Sequence, residues 1–229
     1  MSIFAALHTY HEDAGHSAAM NMAIDEALLE SAAVPSIRFY RWVSPALSFG
    51  YFGRFGEVAS YAHERDLVRR WTGGGTVFHG DDLTYSIVIP SGDPAFGESS
   101  TSIYEKIHRA VVDALAANGE CAELAPIVRI ADSGIASSDR GYDCFANPVR
   151  ADVMLDGRKI AGAAQRRTRA GLLHQGSIQG IYLRNGLADR FVKELSSSCN
   201  IRNLSDAVSD RAQKIAAQKY GTEAWLRRR

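Results

Sequence analysis

Apolar residues recur along this chain with two periods, and the switches between them mark out its elements. Residues 17–31 (SAAMNMAIDEALLES) place Ala, Met and Leu at helical spacing between Gly15 and Pro35, which predicts an amphipathic helix. Residues 37–42 (IRFYRW) alternate large apolar and basic side chains, the pattern of a strand with one wet face, and Pro45 ends it. Residues 47–52 (LSFGYF) read as a second strand, in which Gly50 leaves room for a backbone or ligand to come close. A short helix over 57–65 leads into Leu67-Val68, three consecutive glycines, and a further strand at Thr76-Val77-Phe78. Residues 83–90 (LTYSIVIP) continue as a strand closed by Pro90, and Pro94 and Gly97 mark a loop.

The second half alternates in the same way. Ser102-x-x-Glu105 is a capping-box pattern ahead of a helix that runs to about Asn118 and stops at Gly119. Ile103, Ile107, Val111, Ala114 and Leu115 fall on one side of it. Residues 127–131 suggest a strand, and the Ser-, Gly- and Asp-rich 132–143 a loop. Residues 149–155, the turn Asp156-Gly157 and residues 158–166 predict a hairpin, because Asp-Gly adopts the type I′ conformation a two-residue link requires. A turn near Ala170-Gly171 returns the chain into a third strand over 172–181, completing a meander. After Gly186 the pattern is helical, over 187–195, 206–219 and a closing segment with Trp225. With neither repeat nor low-complexity linker, the expectation is one domain over 1–229, with a sheet-containing core over 1–185 and helices over 186–229.

The composition narrows the function classes. Hydrophobic residues make up 46% of the 229, charged residues 23%, and 26 basic side chains balance 26 acidic ones. That balance argues against wholesale binding to nucleic acid or a membrane surface, leaving the Arg227-Arg228-Arg229 tail and Arg166-Arg167-x-Arg169 as local basic spots. The apolar start over 1–6 is too short, and lacks the basic flank, for a targeting segment. No stretch approaches the ~18 apolar residues of a membrane span. Three cysteines without C-x-x-C spacing suit a reducing, cytoplasmic setting and suggest neither disulfide nor metal site. Cys121 and Cys199 are expected to be small buried hydrophobes.

The candidate chemistry gathers at two places. In RRWTGGGTVFHGDDLTYS (69–86), Gly73, Gly74 and Gly75 remove every Cβ, so a ligand can lie on the backbone. Bare N–H groups beside Arg69 and Arg70 would suit a phosphate, a carboxylate or a developing oxyanion. The plainer alternative is a tight turn with two solvated arginines. The spacing matches neither a dinucleotide loop nor a P-loop. In the hairpin, pairing Leu155 with Arg158 sets Met154 opposite Lys159 and Asp152 opposite Ala161, so Asp152, Met154, Lys159, Ala161 and Ala163 share a face. Lys159 is then one cation among small residues, or simply a solvated strand lysine. Cys144, flanked by Gly141 and Pro148, reads as exposed and able to act as a nucleophile. His79 and His174 lie nearest these elements, as site groups or as structural imidazoles.

Three motifs together resemble the lipoate/octanoate branch of the biotin and lipoate protein ligase family: RRWTGGGTVFH (69–79), DGRKIAGAAQRR (156–167) and LLHQGSI (172–178). NMAIDEALL (21–29) and LSFGYF (47–52) fit in the same order. The resemblance implies an α+β fold of the biotin/lipoate ligase catalytic-domain type, a mixed, largely antiparallel β-sheet flanked by helices, with a tunnel for a medium-length acyl chain. It implies attachment of an octanoyl or lipoyl group to a lysine of a lipoyl domain, carried by 2-oxoacid dehydrogenase E2 subunits or the glycine cleavage H protein. The spacing of Cys144 and Lys159, with C-F-x-x-P, resembles the cysteine-dependent octanoyltransferases, which imply a Cys144 thioester, an acyl carrier protein as possible donor and no cofactor. Gly75 instead resembles the ATP-dependent lipoate ligases, which imply ATP, Mg²⁺ and lipoyl-AMP. A non-catalytic subunit that binds an acyl group or adenylate is the remaining reading. The implied catalytic residues are Cys144 and Lys159; the binding residues are Arg69, Arg70, Gly73, Gly74, Gly75, Thr76, His79, Asp152, Gly162, His174 and Gly176. Residues 182–229 are too few for the full accessory domain that the ligases often carry.

Overall fold

Ser17 starts the first helix, α1 (Ala18–Ser31): its hydroxyl accepts from the Met20 N–H, and the chain turns extended at Ala32. The structure, a computed structural model, describes residues 2–126, 148–181 and 186–228. Cys144, the strand expected over 127–131 and the loop expected over 132–143 lie outside these residues. α1 is not half-wet as its spacing suggested. Asn21, Asp25 and Glu26 are buried along with its apolar residues, because Ala212, Ile215 and Tyr220 from the C-terminal part cover the side turned away from Val88 and Leu173.

The strands in chain order are β1 (Leu7–His16), β2 (Ser36–Trp42), β3 (Ala46–Phe49), β4 (Asp66–Arg69), β5 (Thr76–His79), β6 (Leu83–Pro90), β7 (Glu123–Leu124), β8 (Val153–Leu155), β9 (Arg158–Arg167), β10 (Gly171–Ile178) and β11 (Cys199–Ile201). Eight of them form one sheet in the order β11-β1-β2-β6-β10-β9-β8-β7. The β11–β1 and β1–β2 pairs are parallel and the others antiparallel. This is the mixed, largely antiparallel sheet that the motifs implied. A second sheet, β4-β3-β5, carries the glycine loop, whose flanking strands both pair with β3 rather than with each other.

Helices cover both faces of the large sheet. Ile103, Ile107 and Val111 of α2 (Ser100–Ala116) and Phe191 and Leu195 of α3 (Leu187–Leu195) pack with Ile37, Ile87 and Ile89. On the other face, α1 and α4 (Asp206–Ile215) pack with Tyr40, Val88 and Leu173. Alternate residues of β2 and β6 thus enter opposite cores, as the period of two requires.

This two-sided burial overturns the wet face expected for β2. Arg38 is 1% exposed. It donates to the Asp25 carboxylate at 2.9 Å and to Asn21 Oδ1 at 2.7 Å, pairs with Glu12, and lies over the Tyr40 ring. A buried guanidinium needs this many acceptors, and α1 and β1 together supply them. The helix cap is also shifted: Ser99, not Ser102, accepts at the start of α2. Residues 57–65 form 3-10 turns (Phe55–Glu57 and Ala59–His63) rather than one helix, and the strand expected over 47–52 ends at Phe49. In the C-terminal part, Cys199–Ile201 is a strand beside β1, not helix, and β1 itself has too few apolar residues to announce a strand. Cys121 and Cys199 are exposed rather than buried.

Candidate active site

The glycine loop is held from within by the arginine pair. Arg70 donates to Ser48 Oγ at 2.7 Å and to the Gly73 and Gly75 carbonyls at 3.0 and 2.8 Å. Gly74 has a φ of 80°, and the loop presses against β3's end so closely that a Cβ at Gly50 would stand 1.9 Å from Gly74 O. The close approach expected at Gly50 is therefore that of the loop's own backbone. Arg69 lines neither of the cavities beside the loop. Its guanidinium donates to the carbonyls of Tyr51 and Gly53 and to those of Trp225, Leu226 and Arg228. It ties the C-terminal segment, α5 (Glu223–Leu226), to the loop.

The hairpin forms with the expected turn: Asp156 and Gly157 have φ of 50° and 73°, and Met154 stands opposite Lys159. Two residues further the register changes. Val153, not Asp152, pairs with Ala161, so β9 carries one extra residue against β8. This bulge turns Lys159 over Gly162 instead of beside Ala161 and Ala163. A Cβ on Gly162 would stand 2.5 Å from Lys159 Cε. The bulge also brings the ammonium 2.8 Å from Asp152, with side-chain exposures of 4% and 0%. Asp152 accepts further from the Tyr104 hydroxyl and the Val149 N–H, both at 2.6 Å, while Tyr104 takes the Ala163 N–H. Burial, followed by the Asp152 charge, pushes the Tyr104 phenol well up, so it stays a donor.

These groups meet at a narrow cavity between the two sheets. It holds about 460 Å³ of empty space including its mouth, of which about 30 Å³ admits the centre of a water molecule. Arg70, His79, Lys159, Gly162 and Gly176 all line it. Met22, Val77 and Ala163 supply apolar wall, while the missing side chain of Gly162 makes room for Lys159 and that of Gly176 for the Tyr85 ring. Gly74, Gly75 and Thr76 line a separate and larger cavity, with about 660 Å³ of empty space including its mouth, and the loop reaches the first cavity through the Arg70 side chain. Asp152 stands behind Lys159. His174 is absent from the cavity wall: it is fully buried, its Nδ1 accepts from Gln165 Nε2, and it stacks on Tyr85. Burial and then the neighbouring His108 hold its pKa well below 6.5.

Four residues not singled out from sequence complete the site: Trp42, Ser48 and Gln175 in the cavity wall, and Asp82 behind His79. Ser48 and Asp82 bracket His79, with Ser48 Oγ 2.7 Å from Nε2 and Asp82 Oδ2 2.8 Å from Nδ1. Trp42 stacks on the His79 ring at 4.2 Å. Gln175 receives Thr72 Oγ1 and donates to Asp25, which links the loop to α1. The His-x-x-Asp spacing across a turn was a visible signal for Asp82; Ser48 reaches His79 only through the β3–β5 register, which pairs it with Val77. Among the described residues no helix is long and apolar enough to cross a membrane, and no group of three or more His, Cys, Asp or Glu is placed to hold a metal ion.

Residues 17–180 match the lipoyl protein ligase A/B catalytic domain. The octanoyltransferase LipM of Oceanobacillus iheyensis is 38% identical over 175 residues, an alignment that takes in 73% of this chain and 62% of that protein. The chain thus spans less than two thirds of that relative. The octanoyltransferase LipM of Bacillus cereus is 37% identical over 230 residues, covering 92% of this chain and 83% of its own length. Among solved structures, lipoate-protein ligase A bound with ATP superposes with a TM-score of 0.74 at 23% identity, over 99% of this chain and 98% of that one, a likeness of fold. With the glycine loop, the lysine hairpin and the cavity in register with one another, this chain belongs to the family of the lipoyl protein ligase A/B catalytic domain.

Proposed function

We propose that this protein transfers an octanoyl group from a carrier-protein thioester to a lysine of a lipoyl domain, through a thioester on Cys144. The observation that carries this reading is the slot in which the buried Lys159 ammonium and the Arg70 guanidinium share one narrow, partly apolar wall. An unbranched acyl chain suits such a slot, and a tetrahedral intermediate at its cationic end gains charge stabilisation where water is excluded. In the first half, the Cys144 thiolate attacks the donor's thioester carbonyl, and the carrier thiol leaves as that C–S bond breaks. In the second, the acceptor lysine amine attacks the acyl-cysteine, the amide forms, and the Cys144 thiol is released. Lys159 stabilises the oxyanion in both halves, and Asp152, Tyr104 and the Ala163 N–H hold it in place. Splitting one transfer between two bulky carriers into two steps is the usual gain from a covalent intermediate.

The names and identities of the two LipM relatives favour this transferase chemistry, which needs neither ATP nor a metal. The triple glycine and the likeness to an ATP-bound ligase fold keep the adenylating reaction as the competing reading. The two separate cleanly in one assay. Octanoyl transfer from a carrier thioester to a lipoyl domain without ATP is expected, with Cys144→Ala inactive. Undiminished modification by Cys144→Ala, or turnover of octanoate that releases pyrophosphate from ATP, overturns the proposal.

A further inference from the structure

The hydrogen-bond directions around His79 follow from two facts: a guanidinium has donors only, and an ionised carboxylate, here Asp82, only accepts. Arg70 Nη1 therefore donates to Ser48 Oγ, 2.7 Å away. The Ser48 hydroxyl proton is then left for His79 Nε2, also at 2.7 Å. With Nε2 accepting, the imidazole proton sits on Nδ1 and points at Asp82 Oδ2, 2.8 Å away. Asp82 further accepts from the hydroxyls of Thr84 and Ser177 and from the Gly80 N–H. The chain has a single polarity, from a cation lining the acyl cavity to a carboxylate behind it. Ser48 and His79 are 5% exposed or less, the Asp82 side chain is 2% exposed, and Trp42 closes one imidazole face. Burial, working against the pull of Asp82, lowers the His79 pKa, which keeps the ring neutral. Burial works against the Asp82 charge, but the hydrogen bonds led by His79 outweigh it and hold the carboxyl at about 2.

We propose that Ser48, His79 and Asp82 are a positioning relay for Arg70, fixing its guanidinium at the head of the acyl group. This inference rests on the acyl-transfer reading. The spacings are those of a Ser-His-Asp triad, but the Ser48 oxygen that a nucleophile would present is already occupied by Arg70. The relay instead fixes the rotamer of a long cation that also holds the Gly73 and Gly75 carbonyls. The cavity wall and the glycine loop thereby become one rigid unit. His79 then acts on the substrate through Arg70 rather than by touching it.

The test is a double-mutant cycle on octanoyl transfer with the full-length protein. Ser48→Ala and Asp82→Asn are each expected to lower kcat by about 10–100-fold, the usual effect of misplacing a catalytic group by an ångström or less, while KM for the donor moves far less. Ser48→Thr, which keeps the hydroxyl, restores most of the rate. Ser48→Ala adds little to Arg70→Ala, because the relay acts through that one side chain. Imidazole ¹⁵N NMR reads the same claim without turnover: His79 carries its proton on Nδ1 in the unmodified protein. Additive losses in the cycle, an Nε2-protonated His79, or an octanoyl ester on Ser48 in a peptide digest would each overturn the relay. Absence of transfer by the unmodified protein would count against the acyl-transfer reading, while the His79 tautomer would still decide the relay.

Discussion

At the scale of single residues, the site depends on side chains that are missing as much as on those present. Gly162 is the clearest case, since a methyl group there would meet the Lys159 side chain at 2.5–2.7 Å. Lysine is flexible, so Gly162→Ala should fold, at a cost of about 1–3 kcal/mol for overpacking, while displacing the ammonium from Asp152. Octanoyl transfer is expected to fall about 100-fold with a far-ultraviolet spectrum unchanged. Wild-type rates in this variant would mean that Lys159 is not held where the reaction needs it. Part of this scale was legible in the sequence: Lys159, Arg70 and Gly162, picked out from separate motifs, line one cavity. Arg69 and Arg38 were not, because an arginine's role depends on which acceptors surround it. Among the described residues Arg69 donates to backbone carbonyls and lies over the Phe49 ring, and Arg38 finds carboxylates from two other elements.

Among the elements, local turn chemistry was readable and long-range register was not. Asp156-Gly157 announced the hairpin and set Met154 against Lys159. Alternation put Asp152 and Lys159 on one face, but the bulge that follows depends on how β9 must satisfy β8 and β10 together and could not be read from it. β1 went unseen for a related reason. Its sequence, LHTYHEDAGH, is strand only because β2 and β11 flank it. The join between β3 and the glycine loop is equally tight. Gly50→Ala would drive a Cβ to 1.9 Å from a backbone oxygen, which no side-chain movement relieves. Urea denaturation should show a loss of about 2–4 kcal/mol, well above a typical surface substitution. A change below 0.5 kcal/mol would show that the loop can lift away from β3.

For the whole molecule, both faces of the large sheet are sealed by helices, and this sealing leaves neutral histidines inside. His108 donates through Nδ1 to the Ala151 carbonyl, while its Nε2 is buried without a hydrogen-bond partner among the described residues. Burial lowers its pKa to about 4, against the opposing Ala151 hydrogen bond. Between the unfolded value near 6.5 and about 4, the unfolded chain binds this proton and the folded one does not. Stability therefore falls as pH drops through that window, by about 3 kcal/mol from this group, and is fully present above 6.5. Denaturation at pH 7.5 and 4.5 should show this loss in the wild type and a smaller one in His108→Gln; equal losses would assign the acid sensitivity elsewhere.

The same sealed interior suits the covalent acyl relay proposed above, since the Lys159 side chain is nearly closed off from water. Intact-mass analysis of the protein incubated with an octanoyl carrier protein, without ATP and without a lipoyl domain, tests that relay most directly. A single octanoyl group, mapped to the peptide containing Cys144 and discharged on adding a lipoyl domain, is the predicted result. A protein that stays unacylated under these conditions, yet modifies the lipoyl domain once octanoate, ATP and Mg²⁺ are supplied, would contradict it.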